Sequence, residues 1–350
     1  MRSALFLLVI GILVPCYSVS SESLYLGLRG GSQAWNAGVF DTYSKGNFSR
    51  AIVTSVFSSN FLIQEFDPST KSLNQVGAGA TYTTGDWSFS YYGHFGFADA
   101  SISSSILFAQ SEGTRQILTR IPYDLNARYH RSEHELHAAR SIGSGFFVFF
   151  GIKAIQFQIH ASNDLAWGNG LQYDRESTSI LEEYTYSAIP VKANFGMEMT
   201  TSGPLAGLSY AITPGDYDAL TFSIGFMKLR GTQSLDNRIQ AQIEFSPNLF
   251  SRSSNKIFYS TRERNWIDIN GGLIDVTYSY SVSDALLIRI SARYQQYIQT
   301  TRKNDSSILQ LSQLDGLAPT VLALNLSTSD GSNVQDSYSG ITISILRRIF

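Results

Sequence analysis

Three observations predict that this 350-residue chain is all-β and folds as a single antiparallel barrel that crosses a membrane with its strands. Apolar and polar residues alternate with a period of two over most of the chain, placing successive side chains on opposite faces of a strand. Tight turns at 83–86, 142–145, 201–204 and 283–284 alternate with polar connections of roughly 20 to 35 residues, so antiparallel order gathers the tight turns at one end and the long loops at the other. Charged residues make up 15% of the chain and aromatic residues 13%, against about 25% charged in a typical soluble domain. That balance suits hydrophobic residues dealt out at every second position.

Residues 1–20 read as a signal peptide, and 21–350 as the barrel. Arg2 supplies the positive start, 4–14 is an uninterrupted apolar run, and Ser18 and Ser20 offer small residues for cleavage. The run is too short to span a bilayer as a helix. Cys16 is the sole cysteine, and Pro15 before it argues against lipid attachment. Cleavage near Ser20 leaves no thiol for disulfide or nucleophilic chemistry. A net charge of -2 gives no reason to expect nucleic acid as a partner.

Leu24, Leu26 and Leu28 open the first strand, and 51–57 with 61–66 form a weaker hairpin. The clearest hairpin spans 73–97. Val76, Ala78, Ala80 and Tyr82, then Trp87, Phe89, Tyr91, Phe95 and Phe97, share its apolar face; Gln75, Thr81, Ser88, Ser90 and His94 share the other. Residues 98–130 read as a long polar connection, 133–140 and 146–160 as a hairpin, and 161–186 as another loop. Ile189, Val191, Ala193, Phe195, Met197 and Met199 mark a regular strand, turned at 201–204 into Ala206, Leu208, Tyr210 and Ile212. Pro214-Gly215-Asp216 turns the chain again into Leu220, Phe222, Ile224 and Phe226, followed by the strand from Ile239 to Phe245. After a loop at 247–264, Ile267 and Ile269 hand over to Ile274, Val276 and Tyr278 with a phase switch at Gly271-Gly272 that reads as a β-bulge. The strand from Leu286 to Tyr294, a loop at 300–335 and a final strand at 337–350 complete the chain. The count is about 12 strands, within a range of 10 to 14, and closure requires an even number.

With apolar faces turned to lipid, the polar faces line the interior. The expected lining charges are Lys153, Lys192, Glu198, Lys228, Arg230, Arg238, Glu244, Asp275, Arg289 and Arg293, seven basic and three acidic. In a soluble sandwich the same charges would be a solvated outer face. The asymmetry of turns and loops favours the barrel, because a sandwich has no cause for it.

In its signal peptide, alternating strands, turn and loop asymmetry, and aromatic terminus Ile349-Phe350, the chain resembles bacterial outer-membrane β-barrel proteins. The resemblance implies short periplasmic turns, long extracellular loops, export by the Sec route to the outer membrane, and the lipid bilayer as a partner. It also implies that the barrel-assembly machinery reads the last strand, with Phe350 as the candidate signal. Ile341, Ile343, Ile345 and Ile349 share a phase opposite to Leu346 and Phe350, so the last turn is either bulged or a degenerate signal. A fainter likeness to porin-like surface proteins of spirochaetes rests on 189–212.

No catalytic constellation emerges. An omptin-type protease would need an Asp two residues before a His, which none of the five histidines has. His160 with Asp164 is the nearest candidate for a general base and its orienter. His130, His134 and His137 lie close in sequence, but His134 and His137 fall on opposite faces of a strand, a poor metal arrangement. No sequence feature calls for a cofactor. Two readings stand: a porin-like channel passing small solutes through a charged lumen, or a surface adhesion or interaction protein anchored by its barrel. Apolar runs at 106–108 and 321–324 add a plug, or an uptake path for apolar ligands.

Overall fold

The computed structural model describes residues 22–36, 61–66, 71–112, 115–174, 180–215, 217–248, 251–313, 321–322 and 333–350. The expected signal peptide, the segment 51–57 and the loop residues 323 and 324 lie outside them. Among the described residues there are twelve strands: β1 Ser23–Asn36, β2 Phe61–Phe66, β3 Lys71–Thr84, β4 Trp87–Glu112, β5 Arg115–Gly143, β6 Phe146–Asp174, β7 Ile180–Ile212, β8 Asp218–Asn248, β9 Ser251–Ser283, β10 Leu286–Gln313, β11 Val321–Leu322 and β12 Asn333–Arg348. Ten of them close a ring in the order β1, β3, β4, β5, β6, β7, β8, β9, β10, β12 and back to β1, every pairing antiparallel. The short β2 pairs with β4, and β11 with β10.

The tight turns and the chain's C-terminus share one rim, here called the lower rim. Gly85 at φ 54° and the run Gly143, Ser144 and Gly145 at φ 99°, 51° and 81° occupy the left-handed region that sharp hairpin turns demand. Each turn is tied to its neighbour by backbone bonds: Ser141 N–H to Asp86 O, Ala211 N–H to Gly145 O, Ser281 N–H to Tyr217 O, and Arg348 N–H to Ala285 O. The ring is sealed there by Leu24 N–H donating to Phe350 O. Aromatic rings edge the same rim: Phe146 lies 4.6 Å from Tyr210, Trp87 6.3 Å from Phe150, and Tyr82 6.5 Å from Phe350. Rings of this kind suit the boundary between lipid and water.

Just above this rim, the outer wall is apolar all round, with Leu28, Val76, Phe89, Leu136, Phe150, Leu208, Phe222, Ile274, Ile290 and Ile343 exposed, one from each ring strand. Ten exposed apolar side chains on ten consecutive strands form a closed belt, the surface that a bilayer requires.

Beyond the belt the strands continue and their polarity inverts. On β6 the outward positions run Phe146, Val148, Phe150, Ile152 and then Gln156, Gln158, His160, while the inward ones run Phe149, Gly151, Lys153 and then Ile155, Phe157, Ile159. Strand β7 shows the same change, with Ala193, Phe195, Met197 and Met199 buried inside and Lys192, Asn194 and Glu198 outside. Its 33 residues far exceed the roughly 9–11 that cross a bilayer. The upper part is therefore a barrel wall in water, built like a soluble protein with its apolar side chains inside.

This inversion explains where the sequence expectation differs. Ten strands form the ring, two fewer than the expected twelve. Residues 201–204, expected to turn, lie within β7, whose register with β8 is the same on either side of Gly203 and Pro204, although those two residues make no ladder pair there. The expected bulge at Gly271-Gly272 is regular strand, paired with Met227 and Phe226 on one side and Tyr297 and Gln296 on the other. The phase stays fixed and the polarity changes. Gly271 faces inward, where a Cβ would come 2.5 Å from the Cβ of Tyr297. The expected loops at 98–130 and 161–186 are largely paired strand, β4 meeting β5 as far as Glu112 opposite Arg115. Strand β12 has no bulge; Ile341, Ile343 and Ile345 face lipid, Leu346 faces inward, and Ile349 and Phe350 lie past the strand's end.

The belt can be tested on one strand. Phe150→Arg is expected to destabilise the folded barrel by about 2–4 kcal/mol, whereas Gln158→Arg, on the same wall above the belt, should change stability by less than about 0.5 kcal/mol. Denaturant titration in lipid vesicles measures both.

Candidate functional site

The inward faces of β5, β6 and β10 build the centre of the barrel. Alternation on β5 puts Arg131, Glu133, Glu135 and His137 on one face. Lys153 of β6, paired in register with Glu135, reaches both carboxylates: its Nζ contacts Glu133 Oε1 and lies 3.5 Å from Glu135 Oε2. Arg131 Nη2 donates to Glu133 Oε2 at 2.8 Å, and its guanidinium stacks 3.6 Å from the centre of the Tyr338 ring. From β10, Arg293 donates to Glu135 Oε2 at 2.9 Å and to Asp275 Oδ2 at 2.7 Å. Gln295 accepts from Lys153 Nζ at 3.1 Å and donates to Glu133 Oε1 at 3.2 Å.

Three cations thus meet three anions: Arg131, Lys153 and Arg293 against Glu133, Glu135 and Asp275. Strands β5 and β10 stand opposite one another in the ten-strand ring, so these bonds bridge the full width of the barrel. Lys153 is 0% exposed and Glu133 1%. A buried charge is tolerated only when paired and hydrogen-bonded, and each of these is.

Above the network the interior is aromatic and apolar. Trp35 lies edge-on to Phe157 at 4.4 Å and stacks on Tyr338, whose hydroxyl is bonded to that of Tyr297 at 2.9 Å. Tyr129, Leu73, Ile159, Leu229 and Ile269 complete this layer, all fully buried. These buried side chains, contributed by strands all round the ring, fill the interior at this height. Below the network a vestibule of about 200 Å³ remains, walled by Arg29, Tyr92, Arg289 and several Ser and Thr hydroxyls.

Of the charges expected to line the interior, Lys153, Asp275 and Arg293 belong to the network, and Arg289 faces the vestibule. Lys192, Glu198, Lys228, Arg230 and Arg238 do not line it. They project from the outer wall above the belt, because the expected lining took the apolar side of every strand as lipid-facing along its whole length. The side chain of Glu244 lies outside the described residues. The sequence expectation does not include Arg131, Glu133 and Glu135 as a site, although their spacing of two puts them on one face of a strand.

The histidines separate. His94 and His137 approach Glu133 at 3.5 Å and Glu135 at 3.4 Å within the network. His134 is on the lipid side, where its Nδ1 lies 2.9 Å from Tyr91 Oη. His130 and His160 lie on the outer wall above the belt, and the side chain of Asp164 is outside the described residues. His160 borders an open groove of about 910 Å³ with Asp99, Arg128, Asp236 and Arg238. Partial burial acts to raise the Asp236 carboxyl, but hydrogen bonds from Arg238 and Arg262 outweigh it and hold the group below its ordinary value.

Inside the extramembrane wall, burial pushes Glu263 up to about 7, opposed only by the Asn265 amide at 3.4 Å. A carboxyl raised in the folded state is neutral in both states below its unfolded value. As pH rises from there through about 7 the unfolded chain ionises first, and stability falls. Glu263→Gln is therefore expected to leave stability unchanged near pH 4 and to raise it by on the order of 3 kcal/mol at pH 8, read from denaturation midpoints at the two pH values. For the network, Lys153→Met should cost about 3–5 kcal/mol by leaving buried carboxylates underpaired. Adding Glu133→Gln should recover part of that loss, as a double-mutant cycle measures.

No family model matches the chain, and no curated protein matches it. Among solved structures, the chain is similar in course to the outer membrane protease OmpT from Escherichia coli, with a TM-score of 0.43 and 9% identity over 96% of this chain and 99% of that one. It is also similar to the Ralstonia pickettii toluene transporter TbuX, with a TM-score of 0.29 and 10% identity over 95% and 90%. The transport unit of the Escherichia coli autotransporter AIDA-I gives a TM-score of 0.23 and 8% identity over 98% and 96%. These likenesses are too slight to argue from, and the classification rests on the molecule's own ring, belt and rim. A closed antiparallel ring of ten strands with a continuous apolar belt and an aromatic lower rim is the architecture of a membrane-spanning β-barrel.

Proposed function

We propose that this protein is a surface interaction protein whose barrel is a filled anchor and pedestal. The observation that carries the reading is the bridge from Lys153 and Glu133 on one wall to Gln295 and Arg293 on the opposite wall, with the buried aromatic layer above it. A filled interior gives up conduction and gains rigidity. The strands above the belt lift their outer ends away from the membrane and present a polar wall, including the groove beside Arg128, His160 and Asp236. No catalytic step is part of this reading. Export by residues 1–20, and recognition of the last strand with Phe350 by the assembly machinery, belong to it. The exposed Phe350 ring beside Tyr82 on the lower rim supports the latter.

Passive passage of small solutes, the other reading of the sequence, requires the network to part. Planar-bilayer recording separates the two. The native barrel is expected to be silent, and Glu133→Ala with Lys153→Ala to introduce stepwise conductance; stepwise conductance in the native protein would restore the channel reading.

A further inference from the structure

The vestibule beneath the network carries a pair of arginines with no directly contacting carboxylate among the described residues. Arg29 of β1 and Arg289 of β10 are both in register with Ser344 of β12, one on each side of it. Their backbones are thus two strand spacings apart, about 10 Å, with a small hydroxyl side chain between them. Both guanidiniums converge on Tyr92. Arg29 lies 4.6 Å from the ring centre, and Arg289 Nη1 donates to the Tyr92 hydroxyl at 2.8 Å.

Their remaining bonds are to neutral oxygens: Arg29 Nη2 to Thr342 Oγ1 at 3.1 Å, and Arg289 Nε to Ser279 Oγ at 3.3 Å. Among the described residues neither has a carboxylate partner, and Arg29 Nε and Nη1 are buried with no acceptor. The carboxylates that border the cavity are already engaged, Glu135 by Arg293 and Lys153, and Asp275 by Arg293 and Thr277. Three arginines therefore wall the vestibule against two carboxylates. Like charges set this close on one inner face call for a counter-charge. The vestibule that Arg29 and Arg289 wall is bordered by the hydroxyls of Thr81, Ser90, Ser279 and Ser291 and has a volume of about 200 Å³, ample for a tetrahedral anion.

We propose that this vestibule binds a small free oxyanion of the phosphate or sulfate class, held between Arg29 and Arg289. Guanidinium forks match such an anion's paired oxygens, and the surrounding hydroxyls donate to the rest. The tight turns place its mouth on the lower rim, so the anion enters from the periplasmic side. The assignment does not depend on what the outer end binds.

Thermal unfolding of the intact barrel in a maltoside detergent, which carries no phosphate, tests it with inorganic phosphate as the probe. Phosphate should raise the unfolding temperature more than chloride at matched ionic strength. Arg289→Met should weaken the apparent affinity at least about tenfold. Ser291→Val, which narrows the cavity without altering charge, should weaken it similarly, and Lys192→Met on the outer wall should leave it unchanged. Line broadening of the phosphorus resonance by the wild-type barrel reads binding even if a variant fails to fold. Equal responses to phosphate and chloride without broadening overturn the proposal, as does an undiminished response in both folded vestibule variants. A response to phosphatidylglycerol in the micelle but not to free phosphate also overturns it, since it would place the site on lipid.

Discussion

Lys153 is the point on which the interior turns. A lysine brought from one wall of a barrel into a site where its side chain is fully buried must find its anions there, and Glu133 and Glu135 supply them from the neighbouring strand. Those carboxylates in turn need Arg131 and Arg293, and Arg293 needs Asp275. Each partner fixes the position of the next until the chain of charges reaches the opposite wall. Opening a bond at Glu133 or Lys153 strands a fully buried charge, so the centre of the set holds or fails together. The ten-strand ring is wider than one that ordinary side chains fill, and long side chains meeting across its middle are what close it.

The two halves of each strand obey different solvents. In the belt, the outer face must be apolar because lipid offers no hydrogen bonds, and the inner face is free to be polar. Above it, water surrounds the wall, and apolar side chains move inside, as Phe157 and Ile159 do on β6. The network sits close to the changeover, with Lys153 inward directly after the outward Ile152 and directly before the inward Ile155.

The belt half of the fold was legible because each strand's alternation and each tight turn are local signals. Residues 73–97 form the hairpin read from the sequence, with Gln75, Thr81, Ser90 and His94 inward and Phe89, Phe95 and Phe97 outward. The upper half was misread because alternation gives the period without the sign. Met197 and Met199 have the same spacing as Leu208 and Tyr210, and only the surrounding solvent tells which pair faces out. Without that, a change of polarity resembles a turn at 201–204 or a bulge at Gly271. The network was harder still: Glu133 and Gln295 are 162 residues apart and meet only once the ring is closed.

The seam between the first and last strands sets the order of events in the molecule's making. Strand β12 is bonded to β1 on one side and β10 on the other, and Leu24 N–H is satisfied by the carbonyl of the final residue, Phe350. Until that last stretch has been synthesised, β1 and β10 are bare edges, each a template for pairing with the wrong chain. The ring can therefore close only once β12 has been synthesised, and the strands before it must be shielded until then. Truncation by even one strand leaves an open sheet, not a smaller barrel.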